Sequence, residues 1–199
     1  MTRTDVSTPT NFSVLMSVYA GDNASFFARA VESVAIDQML LPKEIVIVID
    51  GPVSADITDI IEQIRSRANM PFTIIKEPHN KGLASALNLG LAHCNYEWVA
   101  RMDADDISLP DRFLEADTFI KQNQETDIFG SQIAEIQADS EHQPLGQGKI
   151  RRVPLTHEAI QKYYKFRNPL NHPSVFFRAQ IVRDIGGYPI EYPEDYFLW

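Results

Sequence analysis

Hydrophobic positions along this chain follow two alternating rhythms. "FSVLMSVY" (Phe12 to Tyr19) is a nearly continuous apolar run closed by the turn "AGDN", the pattern of a strand buried on both faces. Phe27, Ala30, Val31 and Val34 then recur at the spacing of one helix face. After Pro42 comes a second apolar strand, "KEIVIVID", ending at Asp50-Gly51-Pro52. Ile57, Ile60, Ile61 and Ile64 give a second amphipathic helix. "FTIIKE" is a third strand, "KGLASALNLGLAHC" a third helix that tolerates Gly90, and "EWVARMD" a fourth strand. Residues 111 to 122 read as helical after Pro110, which suits a helix start.

Four strand–helix alternations with short connections predict an α/β domain: a mostly parallel central sheet with helices on both faces. Ligands of such sheets bind beyond the carboxyl ends of the strands, where Asp50 and Asp103 to Asp106 lie. The second half is less regular. "DIFGSQIAEIQA" reads as one strand, "DSEHQPLGQG" as a polar loop and "KIRRV" as a short return strand. "THEAIQKYYKF" reads as a short helix and "HPSVFFR" as a further strand. Residues 1 to 11 read as a polar tail, and 12 to 199 as one domain with a first half to about 110 and a second beyond it.

The 199 residues suffice for one sizeable core. Acidic residues number 27 against 18 basic ones, a net charge of −9. That balance argues against nucleic-acid binding, and an anionic ligand would need a local cation. One cysteine, Cys94, excludes an internal disulfide and a zinc cluster. Neither a signal peptide nor a membrane-length apolar run is evident, so a cytoplasmic location is expected. The sequons at Asn11 and Asn23 then read as coincidence.

No GxGxxG, P-loop, GxSxG or HExxH is present, which leaves the usual dinucleotide, NTPase, hydrolase and zincin sites unsupported. "ARMDADDISLP" carries Asp103, Asp105 and Asp106. It is no EF-hand, because Ser108 and Leu114 stand where that loop needs Gly and Glu. Carboxylates this close repel one another unless countered. One reading is a solvated acidic turn capping the next helix. The other is a Mg²⁺ or Mn²⁺ site, since those ions take hard oxygens and often only one or two carboxylates, with phosphates completing the shell. On an extended strand end, the two aspartates of D-x-D would share one side.

"ARMDADDISLPDRF" resembles the D-x-D region of family-two inverting glycosyltransferases with the GT-A fold. Four further stretches resemble the family in the same order: "FSVLMSVYAGDN", "EIVIVIDGP", "NKGLASALNLGL", and "NHPSVFFR" with "GGY" and "PEDYFLW". The resemblance implies an enzyme that moves a sugar from a nucleotide diphosphate, a UDP-sugar before others, to a hydroxyl of a surface polysaccharide or lipid-linked oligosaccharide in a bacterial cell envelope. It implies that Tyr19 packs near the base and ribose, and that Asp50 accepts a hydrogen bond from the base; otherwise Asp50 is an Asx-turn residue. Asp103 would touch the ribose or sugar and help hold the metal, and Asp105 would ligate Mn²⁺ or Mg²⁺ at the diphosphate. Asn80, Lys81 and Gly82 would form the turn beside the donor, with Lys81 otherwise a solvated lysine. Asn88 would face the donor or be exposed, and Asp106 would cap the next helix.

On the acceptor side the resemblance makes Asp195 the general base. Glu194 would bind acceptor or hold Asp195, and His172 would contact acceptor or be an ordinary loop residue. "PED" also suits a helix start. "IDGP" departs from the "DDGS" common in relatives. The chain stops soon after "ED", which the resemblance reads as a shortened C-terminus, with peripheral membrane association carried by a further segment at the inner face of the cytoplasmic membrane. Two rivals stand beside this reading. A sugar nucleotidyltransferase would carry Arg or Lys in the loop after the first strand, and "YAGDNAS" has neither. A non-catalytic nucleotide-sugar-binding remnant would have little use for both D-x-D and Asp195.

Overall fold

The computed structural model describes residues 8–138, 144–190 and 198. Strands β1 (Phe12–Tyr19), β2 (Glu44–Asp50), β3 (Phe72–Glu77) and β4 (Trp98–Arg101) alternate with helices α1 (Ala24–Ala35), α2 (Ala55–Arg67) and α3 (Leu83–His93). Helix α4 (Arg112–Gln122) follows β4. Then come β5 (Ile128–Phe129), β6 (Ile133–Ala138), β7 (Pro144–Arg151) and α5 (His157–Tyr163). A 3-10 turn (His172–Ser174), β8 (Phe176–Arg178) and α6 (Ala179–Asp184) complete the order.

The main sheet has the order β3-β2-β1-β4-β8-β5. β1 to β4 run parallel, and β8 lies antiparallel between β4 and β5. Pleating sends alternate residues to opposite faces. Val14, Met16 and Val18 of β1, with Ile45, Ile47 and Ile49 of β2, meet α1, α2 and α4 in one core. Leu15, Val46 and Val99 meet α3 and α6 in the other. Burial of each such aliphatic side chain contributes about 1.5–3 kcal/mol. Helix α3 lies so close to the sheet that a Cβ on Gly90 would stand 2.4 Å from Leu15 Cδ1, which explains a glycine inside that helix. Asn23 caps α1, its Oδ1 accepting from Ser25 N at 2.9 Å and Phe26 N at 3.3 Å.

Several boundaries differ from the expectation. β4 ends at Arg101, so the D-x-D residues occupy a turn rather than an extended strand end. "DIFGSQIAEIQA" is two strands rather than one. Ser131 N bonds Ser174 Oγ at 2.9 Å, and the chain leaves the main sheet there before β6 begins. β7 starts at Pro144, inside the stretch read as a polar loop, and pairs with β6 as a separate antiparallel ribbon. "HPS" forms the 3-10 turn and only "FFR" is strand, while α6 was not foreseen. Among the described residues no helix is long and apolar enough to cross a membrane.

Candidate active site

The sheet places its crevice between β1 and β4. From β1 the chain winds outward to β2 and β3, and it returns with β4 on the other side of β1. Such a reversal opens a cleft at the carboxyl ends of the two central strands. The turn Tyr19–Asp22 and the turn Met102–Asp106 border it.

Four aspartates converge there. Asp22 Oδ2 accepts from Tyr19 N at 2.9 Å. Its carboxyl is raised by burial, lowered in part by that bond, and raised again by Asp105 and Asp103. Asp22, in the turn three residues beyond the end of β1, was not singled out from the sequence. Asp103 pairs with the Arg101 guanidinium, and Asp105 stands exposed. Burial, then Asp103 and Asp105, push the Asp106 carboxyl up to about 6.

Two arginines, Arg101 buried and Arg112 half-buried, flank this cluster from opposite faces of the sheet. Arg101, 1% exposed, follows the alternation of Val99 toward the α3 side, donates to the Met102 carbonyl and pairs with Asp103. Arg112 comes from α4. Its guanidinium donates to the Arg101 carbonyl at 2.8 Å and lies 5.4 Å and 5.5 Å from the Phe113 and Phe176 ring centroids. Burial lowers its pKa to about 10, with Asp106 and Asp103 opposing the shift, so it stays a cation at neutral pH. Asp22, Asp103, Asp105 and Asp106 thus face two arginines, a deficit of two positive charges.

On the β2 side the predicted residues also meet. Asp50, 4% exposed, accepts from Lys81 N at 2.8 Å through Oδ1 and from Gly82 N at 2.9 Å through Oδ2. It therefore holds the turn that opens α3, where Gly82 has φ +88°. Each carboxylate oxygen has capacity for one further donor. Asn80 Oδ1 also accepts from Gly82 N at 3.1 Å. The exposed Lys81 side chain pairs through Nζ with Glu77 at 2.5 Å. Tyr19 is half-exposed at the end of β1, and its ring lies over Gly21.

Asn88 is tied to the loop after α6. Its Nδ2 donates to the Tyr188 carbonyl at 2.8 Å and its Oδ1 accepts from Tyr188 N at 2.7 Å. The half-buried side-chain amide thus pairs with a main chain 100 residues away. His172 opens the 3-10 turn. It is 8% exposed, with Nε2 3.4 Å from the Tyr188 hydroxyl. Its pKa is lowered to about 3, chiefly by burial and then by Arg101, with Asp103 opposing. The imidazole is neutral and adjoins the Arg101–Asp103 pair. Glu194 and Asp195 lie outside the described residues.

A divalent ion fits this arrangement. Among the described residues no three His, Cys, Asp or Glu side chains enclose a metal by themselves. Mg²⁺ and Mn²⁺ held with phosphates need only one or two carboxylates. Asp103 and Asp105 are hard oxygen donors in a cluster short of two positive charges. Cys94 offers no alternative chemistry, since it is buried and its thiol is pushed up to about 12.

Comparison with known proteins agrees with this fold. The model of glycosyl transferase family 2 matches residues 13–186. An uncharacterized glycosyltransferase of Haemophilus influenzae is 40% identical over 188 residues, covering 94% of this chain and 67% of its own. The UDP-Gal:alpha-D-GlcNAc-diphosphoundecaprenol beta-1,3-galactosyltransferase of Escherichia coli is 37% identical over 190 residues, covering 94% of this chain and 66% of its own. Among solved structures, the mannosyltransferase PcManGT of Pyrobaculum calidifontis, in complex with GDP-Man and Mn²⁺, superposes with a TM-score of 0.67. It is 15% identical and is matched over 95% of this chain and 50% of its own. The chain therefore spans about two thirds of these relatives and half of that solved chain. A match running from β1 into the loop after α6, on a GT-A sheet with its carboxylates at the switch point, makes this chain a member of glycosyl transferase family 2.

Proposed function

We propose that this domain transfers a hexose from a UDP-sugar to a hydroxyl of a lipid-linked oligosaccharide or growing surface polysaccharide, inverting the anomeric carbon and using Mn²⁺ or Mg²⁺. The observation that carries the reading is the charge deficit at the β1–β4 crevice: four aspartates against Arg101 and Arg112. An acidic protein gains a site for an anionic donor once that deficit is met by a cation. When bound by Asp105 and Asp103, the ion supplies positive charge against the departing diphosphate.

The chain's own residues do the rest. Asp50 fixes the Lys81–Gly82 turn and presents its remaining lone pairs to the base. The exposed ring of Tyr19 offers the base an apolar face. Neutral His172, held beside Arg101, contacts the acceptor without competing for its proton. Asp195 takes the proton from the attacking hydroxyl as the new bond forms. Direct displacement needs that carboxylate on the face opposite the leaving group. The galactosyltransferase relative, with UDP-Gal and diphosphoundecaprenol in its name, supports the donor and the lipid-linked acceptor.

Asp195→Asn is expected to lose transfer while UDP binding persists, measured by product formation and by titration of the same sample. Unchanged turnover would remove Asp195 as the base.

A further inference from the structure

The positive charge of this chain is concentrated in one place. Residues 149–167 hold six Lys and Arg side chains against one carboxylate, Glu158, whereas the rest of the chain has twelve against twenty-six. Lys149, Arg151, Arg152, Lys162, Lys165 and Arg167 are all exposed. None is in an ion pair among the described residues. Two large apolar side chains stand out among them. Leu155 is 79% exposed just before α5, and Phe166 is 83% exposed just after it. The seven-residue helix α5 lies between the two.

Helix α5 explains how this surface is presented. Ala159, Ile160, Tyr163 and Tyr164 are half-buried, and Ile160 packs against the α3-side core. That face fastens the helix down. Lys162 and Lys165 lie outward, and Thr156 caps the start by accepting from Ala159 N. Upstream, the Gln132 side chain pairs with both main-chain groups of Val153, at 2.7 Å and 2.8 Å. Exposed cations around protruding apolar side chains on an anchored support form the composition that enters an anionic bilayer surface.

We infer that residues 149–167 form the face by which this domain docks on an anionic phospholipid bilayer, with Leu155 and Phe166 entering the headgroup region. The net negative charge of the remainder repels such a surface, so charge complementarity selects this face and this orientation. Four residues lie between Arg167 and His172, five steps or at most about 18 Å of chain. Docking therefore holds the acceptor side of the crevice near the membrane. The inference deepens the lipid-linked-acceptor reading, and it places the membrane contact within this chain rather than on a further segment. Its test uses no nucleotide or acceptor, so it succeeds or fails independently of that reading.

The experiment is vesicle co-sedimentation of the whole chain on phosphatidylcholine alone and on phosphatidylcholine with about one third phosphatidylglycerol. Binding to the acidic vesicles only, weakened by salt, is expected. Lys162→Gln with Lys165→Gln should weaken it about 25-fold, at about fivefold per cation. Phe166→Ser, with every charge kept, should weaken it about tenfold or more. Arg65→Gln with Arg67→Gln, on α2, should leave it unchanged. Unfolding midpoints verify that each variant is folded. Equal binding to neutral vesicles, no binding by the folded wild type, or equal losses from the α2 variant would overturn the inference. So would Phe166-dependent self-association without vesicle binding.

Discussion

Asp106 and His172 bracket the same cluster with opposite pH behaviour. The Asp106 carboxyl, pushed up to about 6 by burial and by its neighbours Asp103 and Asp105, loses its charge just below neutral pH. Metal-dependent UDP binding is therefore expected to weaken as pH falls through about 6, and Asp106→Asn should flatten that dependence. Constant affinity across this range in the wild type would contradict the charge-deficit account. His172 acts on stability. Its folded-state pKa is about 3, against about 6.5 in an unfolded chain. Between these values the unfolded state holds the extra proton. Its contribution to stability is thus lost as pH falls through that window, by up to about 1.4 kcal/mol per pH unit. Asp106 acts in the opposite sense between about 4 and about 6, because the folded state there keeps a proton that the unfolded chain has released. Wild type minus His172→Gln separates the two: that difference in unfolding free energy should fall steadily from about pH 6.5 to about pH 4. A difference independent of pH would show that His172 is not held neutral. At this scale the sequence showed which side chains were candidates but not their partners. The Asn88 amide bonds Tyr188, and Asp22 faces Asp105; both contacts depend on which elements become neighbours.

The elements of the first half were legible because strands buried on both faces read as unbroken apolar runs, and their helices repeat at 3.6 residues. The second half was not, for local reasons. The apolar residues of "DIFGSQIAEIQA" continue through Gly130, and only the Ser131–Ser174 contact takes the chain out of the main sheet. β7 begins with Pro144, and the pairing that makes it a strand comes from β6, not from its own polar sequence. Docking of the loop after α6 onto α3 was equally invisible. It is held by Asn88 and requires Gly187, whose φ is +81° and whose added Cβ would stand 2.3 Å from Asn88 Oδ1. Gly187→Ala is expected to destabilise the domain by about 1–3 kcal/mol. Asn88→Leu should do so by a similar amount, about 1–3 kcal/mol, by leaving the Tyr188 main-chain groups unpaired. Urea unfolding measures both, and wild-type stability in either variant would show that the loop is not fastened there.

On the scale of the whole molecule, charge is unevenly distributed. Carboxylates collect at the β1–β4 crevice, and cations collect on residues 149–167. A mostly parallel sheet was implied by four strand–helix units, but its strand order was not. Which two strands became the walls of the crevice was therefore hidden, and so Asp22 went unnoticed. If the crevice holds a metal and a nucleotide together, both should stabilise the folded chain. Mn²⁺ with UDP at about one hundred times its Kd is expected to add about 2.7 kcal/mol to the unfolding free energy, and neither alone should match it. The most direct test is calorimetric titration of UDP into the wild type and Asp105→Asn, each with and without Mn²⁺, with GDP and dTDP in parallel. The account predicts binding of UDP that needs Mn²⁺ and disappears in the variant. Binding of equal strength without the metal, or undiminished in Asp105→Asn, would contradict it.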